Sequence, residues 1–134
     1  MARTIKTLKY LSEAELIAIN EEMVAKFGGL HGVRDLNFLR LAIGRPQMSA
    51  GLQDAYKTIF DKAAAMFHSI INNHPFLDGN KRTSLFSAIL LLEYNGWSVE
   101  FSRKEAIKFT LLAHNNDWGV EQIAKWLKSH STKS

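Results

Sequence analysis

The chain has 134 residues, 46% of them hydrophobic, and its 17 Lys and Arg against 13 Asp and Glu give a net charge of +4. That is enough chain and enough apolar content for one domain with a real core, and the interspersed charge excludes a disordered composition. With no cysteine, disulfides, thiolate nucleophiles and cysteine-ligated zinc are excluded.

The first residues carry Arg3, Lys6 and Lys9 without a sustained apolar run, so no signal peptide is expected, and a cytoplasmic location follows as the expectation. Ser12-Glu13-Ala14-Glu15 reads as a capping box. It opens a helix with Leu16, Ile19, Met23 and Phe27 on one apolar face, ended by Gly28-Gly29. Asp35 caps a second helix with Leu36, Leu39 and Ile43 inward. Gly44 to Leu52, with Pro46 and Gly51, is expected as a loop. Residues 59–71 carry Ile59, Ala63, Met66, Phe67 and Ile70 at helical spacing. That helix should end near Asn72-Asn73, because Pro75 disfavours helical geometry at His74. Asp78-Gly79 is a turn signal and Asn80 the expected N-cap of the next helix.

Residues 81–95 are apolar on all sides, with Leu85, Phe86, Ile89, Leu90, Leu91 and Leu92, which predicts a central buried helix closed by Gly96. Its longest strongly apolar run, Ala88 to Leu92, is far too short to span a membrane. Trp97 to Phe101 alternates and predicts a short extended segment. Ser102 to Glu105 is another capping box, opening a helix with Ile107, Leu111 and Leu112 that Asn115-Asn116-Asp117 breaks. Val120, Ile123 and Leu127 mark a last amphipathic helix, and the polar tail 129–134 is expected to fray. The reading is a single all-α domain over residues 1–134, with its core at about 8–128, about six helices and no repeat or linker.

The chemistry concentrates in His74-Pro75-Phe76-Leu77-Asp78-Gly79-Asn80-Lys81-Arg82-Thr83, between two helices and leading into a helix start. A helix N-terminus offers unpaired N–H groups and a positive dipole end to a phosphate, and Gly79 lets backbone approach it. Lys81 and Arg82 lie in the first turn, where cations oppose the dipole; a bound polyanion would explain them. Arg82 offers a fork for two phosphate oxygens and Lys81 a point charge. Asp78 could hold Mg²⁺, which binds through one or two carboxylates plus substrate phosphates. His74 is the natural general base, since an imidazole titrates near pH 6.5, about the right range. Taken singly, each residue also fits an ordinary connection: a proline loop, an Asp-Gly turn, an Asn cap and two solvated cations, with Phe76 as a core anchor.

Taken together, the string resembles the signature of the Fic/Doc family, His-Pro-Phe-x-(Asp/Glu)-Gly-Asn-(Gly/Lys)-Arg, and meets it at every fixed position. Gly32-Val33-Arg34-Asp35 with Leu39, Ala42-Ile43 and Arg45-Pro46-Gln47 resembles the upstream block of death-on-curing toxins, and Asn95-Gly96 follows the same pattern. The resemblance runs from about Leu8 to Leu127. It implies a compact Fic-fold helical bundle with the active-site loop between two central helices. It implies that His74 deprotonates a protein hydroxyl, Asp78 holds Mg²⁺, and Gly79, Asn80, Lys81, Arg82 and Thr83 contact ATP. Lys81 stands where AMP-transferring members have Gly, and Leu85 where they have a second Arg; both are typical of the Doc branch. That branch implies a toxin acting as a protein Ser/Thr kinase that transfers the γ-phosphate to a translation factor of the elongation factor Tu class. Phe86 takes the place of an Asn frequent in that branch.

The alternatives are a Fic-type AMP transferase, against which Lys81 stands, and an inactive binding module of the same fold, against which the intact His74, Asp78 and Arg82 stand. The mild positive charge also suits nucleic acid, but it is spread along the chain, and nucleic acid is not the expected substrate. Arg45 to Gly51 is the candidate substrate flap, which in the family positions the target by strand-like pairing, and an ordinary connecting loop is the competing reading. No Glu is followed by Gly or Asn, so the family's inhibitory helix is absent. The toxin branch implies a separate antitoxin whose helical segment lies in a groove across the site. His68 is read as a rim histidine, and His31, His114 and His130 receive no role. Trp97, Trp118 and Trp126 are read as core or groove residues.

Overall fold

The computed structural model describes residues 7–134, so Arg3 and Lys6 lie outside the described residues. Six helices form the body: α1 (Glu13–Phe27), α2 (Leu36–Gly44), α3 (Ile59–Asn73), α4 (Asn80–Tyr94), α5 (Arg103–Asn115) and α6 (Val120–Ser129). Four of them, α1, α2, α3 and α5, start where a side chain satisfies a free N–H group of the first turn. Ser12, Thr58 and Ser102 each close a capping box, and Asp35 accepts from Phe38 N–H.

Helix α3 lies at the centre, packed chiefly on α4, α6 and α2. Ten of its fifteen residues are buried, among them Ala63, Ala64 and Ala65, whose small side chains permit close approach of its neighbours. Helix α4 is its main partner and is buried through Leu85, Ala88, Ile89, Leu91 and Leu92. It is not buried all round as its composition suggests: Phe86 stays 39% exposed. The three tryptophans pack on the core, Trp97 edge-on to Phe60 and Trp126 stacked on Phe109 with ring centroids 3.9 Å apart.

Three inward faces differ from the sequence expectation. In α1 the buried positions are Leu16, Asn20, Met23 and Val24, whereas Phe27 is half-exposed. In α2 Leu39 and Ala42 are buried and Leu36 is exposed. In α5 Phe109, Thr110 and Ala113 are buried, and Ile107 and Leu111 face out. Apolar periodicity finds a helix, but it cannot rank two apolar stripes when one lines a groove.

Four short strands complete the described residues. β1 (Ser49–Ala50) and β2 (Gln53–Asp54) form a hairpin over Gly51-Leu52, following a 3-10 turn at Arg45–Gln47. The expected loop is therefore a hairpin. β3 (Trp97–Val99) is the expected extended segment, and it pairs antiparallel with β4 (Ser131–Lys133). The tail expected to fray is instead tied down, because the exposed edge of β3 supplies backbone partners that residue-type patterning does not reveal. Ser134 N–H donates to the Gly96 carbonyl at 3.0 Å. Beside it the Asn95 side chain exchanges hydrogen bonds with both backbone groups of Lys9, at 2.9 and 2.8 Å. Among the described residues no helix is long and apolar enough to cross a membrane.

Candidate functional site

The α3–α4 connection is a loop whose every turn is held by a named group. Helix α3 ends at His74, a left-handed residue (φ 50°, ψ 64°) whose N–H donates to Ile70 O at 3.1 Å. The carbonyls left over at this helix end are taken by Arg34: its Nε donates to His74 O and its Nη2 to Asn73 O, each at 2.6 Å. A cation there also complements the dipole. Pro75 O accepts from Arg34 N–H at 2.7 Å and Asp35 N–H at 3.1 Å, and Leu77 N–H donates to Gly32 O at 3.0 Å. Phe76, 1% exposed, is pinned in the core beside a backbone bridge to Val33. The segment before α2 thus acts as a splint for the loop.

Asn80 is not the N-cap expected from the sequence. Gly79 takes that place with φ 76°, and Asn80 is the first helical residue. Its amide bridges backward instead, accepting from Phe76 N–H at 3.1 Å and donating to Phe76 O at 2.9 Å. Gly79 is required twice over. Its φ suits glycine, and a Cβ there would stand 3.2 Å from both Asn20 Nδ2 and Val24 Cγ2. Helix α4 consequently starts with no side-chain cap and no acidic residue in its first turn. Its leading N–H groups therefore receive no side-chain cap, and Lys81 and Arg82 in that first turn are exposed.

Asp78 is half-buried, and its Oδ2 accepts from Leu30 N–H at 2.6 Å, while Oδ1 takes no hydrogen bond from the described residues. Gly29 makes this approach fit, since a Cβ there would fall 2.7 Å from Asp78 Cβ. Among the described residues no three His, Asp or Glu side chains cluster as metal ligands. One oriented carboxylate with a free oxygen suits magnesium, which takes most of its remaining ligands from water and phosphate.

Sequence reasoning missed the supports beneath these groups. Asn20, fully buried in α1, donates through Nδ2 to Asp78 O at 2.8 Å and to Thr83 Oγ1 at 3.1 Å. The available signal was a polar residue one turn after Leu16 on an apolar face. Thr83 itself is turned inward and fully buried, so it braces the loop from behind rather than lining its open side. Arg82 lies over the Phe27 ring, 3.9 Å from guanidinium carbon to centroid. This explains why Phe27 is not in the core. His74 is exposed, and the His114 ring lies 5.8 Å from it, with His114 Nδ1 buried and unpartnered among the described residues. Lys81 and Arg82 line a groove of about 500 Å³ together with Phe27, Phe86, Ile107 and Leu111, while His74 and Asp78 lie on the same loop outside that lining.

His68, one and a half turns before His74, is a half-buried polar contact rather than a free rim residue. Arg45 Nη1 lies 2.8 Å from its Nδ1. Burial first, and then the Arg45 guanidinium, hold the imidazole below its ordinary value, opposed by Asp117. A histidine depressed in the fold resists protonation there, so the unfolded chain takes up protons first as pH falls below about 6.5. Stability should therefore decline as pH drops through the unfolded value toward the folded one. Between about pH 7.5 and about 5.5 the urea midpoint of the wild type should fall further than that of His68→Gln. Parallel profiles would show that His68 carries no such linkage.

The chain matches the family described as Fic/DOC over residues 10–92. It is 46% identical over 70 residues to the protein named Toxin Doc of Mycolicibacterium smegmatis. That stretch covers 52% of this chain and 54% of the relative, so the match spans about half the length of that protein. It is 31% identical over 121 residues to Protein kinase doc of Escherichia phage P1, covering 90% of this chain and 94% of that protein. The loop and its splint both fall inside the family match, and the chain belongs to the Fic/DOC family.

Proposed function

We propose that this chain is a Doc-type toxin that transfers the γ-phosphate of ATP to a Ser or Thr hydroxyl of a protein. The observation that carries the reading is the uncapped start of α4, with Lys81 and Arg82 exposed in its first turn and the exposed His74 on the same loop. Two cations at a helix N-terminus oppose the dipole by roughly 0.3–1 kcal/mol each, an arrangement that a bound polyphosphate reverses. The similarity to Protein kinase doc supports phosphoryl transfer over AMP transfer.

In this reading His74 accepts the proton of the target hydroxyl as its oxygen bonds to the γ-phosphorus. The bond from that phosphorus to the β–γ bridging oxygen breaks, and ADP leaves. Lys81, Arg82 and the N–H groups of α4 hold the phosphates in line, and Asp78 and Asn80 fix the turn. Mg²⁺, held through Asp78 Oδ1 and the phosphates, would supply charge neutralisation on the transferred group. A translation factor of the elongation factor Tu class is the proposed target, by way of the Doc resemblance. The groove beside Arg82 is the proposed seat of an antitoxin helix: apolar residues at helical spacing would meet Phe27, Phe86, Ile107 and Leu111 and cover both phosphate cations.

The test uses purified protein, Mg²⁺ and a translation-competent lysate, with ATP labelled at the γ- or the α-phosphate. A protein band labelled from the γ position alone is expected. Label from the α position would replace the kinase reading with AMP transfer, and label from neither would favour a binding module. Lys81→Gly should lower γ-labelling and raise the α-to-γ product ratio. An unchanged ratio would show that Lys81 does not set the nucleotide pose.

A further inference from the structure

The β1–β2 hairpin has nothing apolar to hold it. Residues 47–55 are all exposed, and a hairpin with two residues per strand is marginal by itself. Beneath it lies Lys62 of α3, 1% exposed, the largest kind of side chain buried in this core and a charged one. Its ammonium group donates to Tyr56 O at 2.6 Å, Asp54 Oδ2 at 3.1 Å and Pro46 O at 3.3 Å. Three donors thus meet three acceptors, and those acceptors lie on both sides of the hairpin, one before β1 and two at or after the end of β2.

Arg45 closes the same root. Its Nε donates to the Tyr56 hydroxyl at 2.8 Å and its Nη1 to Ser69 Oγ at 3.0 Å, beside the His68 contact. Since Lys62 and His68 precede His74 by twelve and six residues on one helix, the two grips on this root lie roughly 18 Å and 9 Å along the axis from the loop. A buried ammonium is costly unless every donor is matched, and an apolar side chain of similar volume would often serve stability as well or better. The charge is thus poorly explained by stability and well explained by the segment it fastens.

We propose that Lys62 is a positioning residue that fixes the hairpin relative to the active-site loop, so that an extended segment of the protein target can pair along it. This rests on the transfer reading above. Helix α3 then serves the reaction at both ends. Its C-terminus carries His74, and its first turns hold the surface that aligns the hydroxyl with His74.

The test compares the full-length chain with Lys62→Met, Asp54→Ala and Asp54→Asn. Thermolysin cleavage at the exposed Leu52, affinity for a non-hydrolysable ATP analogue, and KM and kcat for the labelled target are measured. Lys62→Met should raise the cleavage rate and the target KM about tenfold, the size expected for losing a hydrogen-bonded charge, with kcat and nucleotide affinity nearly unchanged. Asp54→Ala, which leaves one donor of the buried ammonium unmatched, should move both in the same direction by about threefold with the fold checked by circular dichroism, and Asp54→Asn, which keeps an acceptor, should stay near wild type. Faster cleavage with an unchanged KM would reduce Lys62 to a structural staple, and no change in either would overturn the proposal outright. A wild-type chain that labels no protein would sink the kinase reading along with the substrate half of this proposal. An active wild type with an indifferent Lys62→Met variant would sink this proposal alone.

Discussion

His74→Ala is expected to lower phosphoryl transfer by roughly 10²–10⁴-fold, the usual contribution of a general base. The fold and nucleotide binding should persist. The imidazole is exposed and is not part of the core. What holds the position is backbone: the N–H to Ile70 and the carbonyls gripped by Arg34. Alanine keeps all of these, and its left-handed geometry costs about as much as histidine's, on the order of 1–2 kcal/mol. The γ-labelling assay, run beside circular dichroism and nucleotide titration, reads the effect. Retained turnover in a folded variant would remove His74 as the base, and His114, the imidazole 5.8 Å away, would be the next residue to substitute.

Phe76→Ala should be the most damaging change in the loop for stability, at about 3–5 kcal/mol for a buried aromatic. Set against a total of roughly 5–15 kcal/mol for a domain, that is a large share. Thermal midpoints should fall by roughly 10–20 °C at this chain length. The side chain is 1% exposed, so its loss leaves a cavity and removes the anchor beneath a turn that keeps only its two backbone hydrogen bonds to Asn80. Its neighbour Leu77, 48% exposed, is the control, and Leu77→Ala should stay within about 0.5 kcal/mol. A Phe76→Ala midpoint within a few degrees of wild type would mean the loop is held by hydrogen bonds alone.

Much of this molecule is legible in its residues, because helices announce themselves locally. Ser12, Asp35 and Ser102 cap where the spacing says they should, and α3 ends where Pro75 forces it to. The loop residues His74, Asp78, Lys81 and Arg82 stand out in the motif, and Lys81 and Arg82 share one groove. What escapes is non-local. Asn20 and Lys62 are polar residues at core positions, and their partners lie 58 and 63 residues away for Asn20 and on both sides of a hairpin for Lys62. Asn80 has the chemistry of a cap, but its amide closes the turn before the helix instead. Phe27, Ile107 and Leu111 are apolar and read as core, yet they line the groove. β4 has no residue pattern at all, and its pairing is decided by the edge that β3 leaves open.

The Asn95–Gly96 turn has a practical consequence. Because Lys9 is fastened to Asn95 and Ser134 to Gly96, the two ends of the described chain meet at the far end of α4, about 22 Å along that fifteen-residue helix from the motif loop. A fluorophore, tether or fused domain attached at either end would therefore ride on the opposite pole of the molecule from His74. The same neighbourhood makes the fold a candidate for circular permutation, with residues 134 and 7 joined by a short linker and new ends opened on a surface loop.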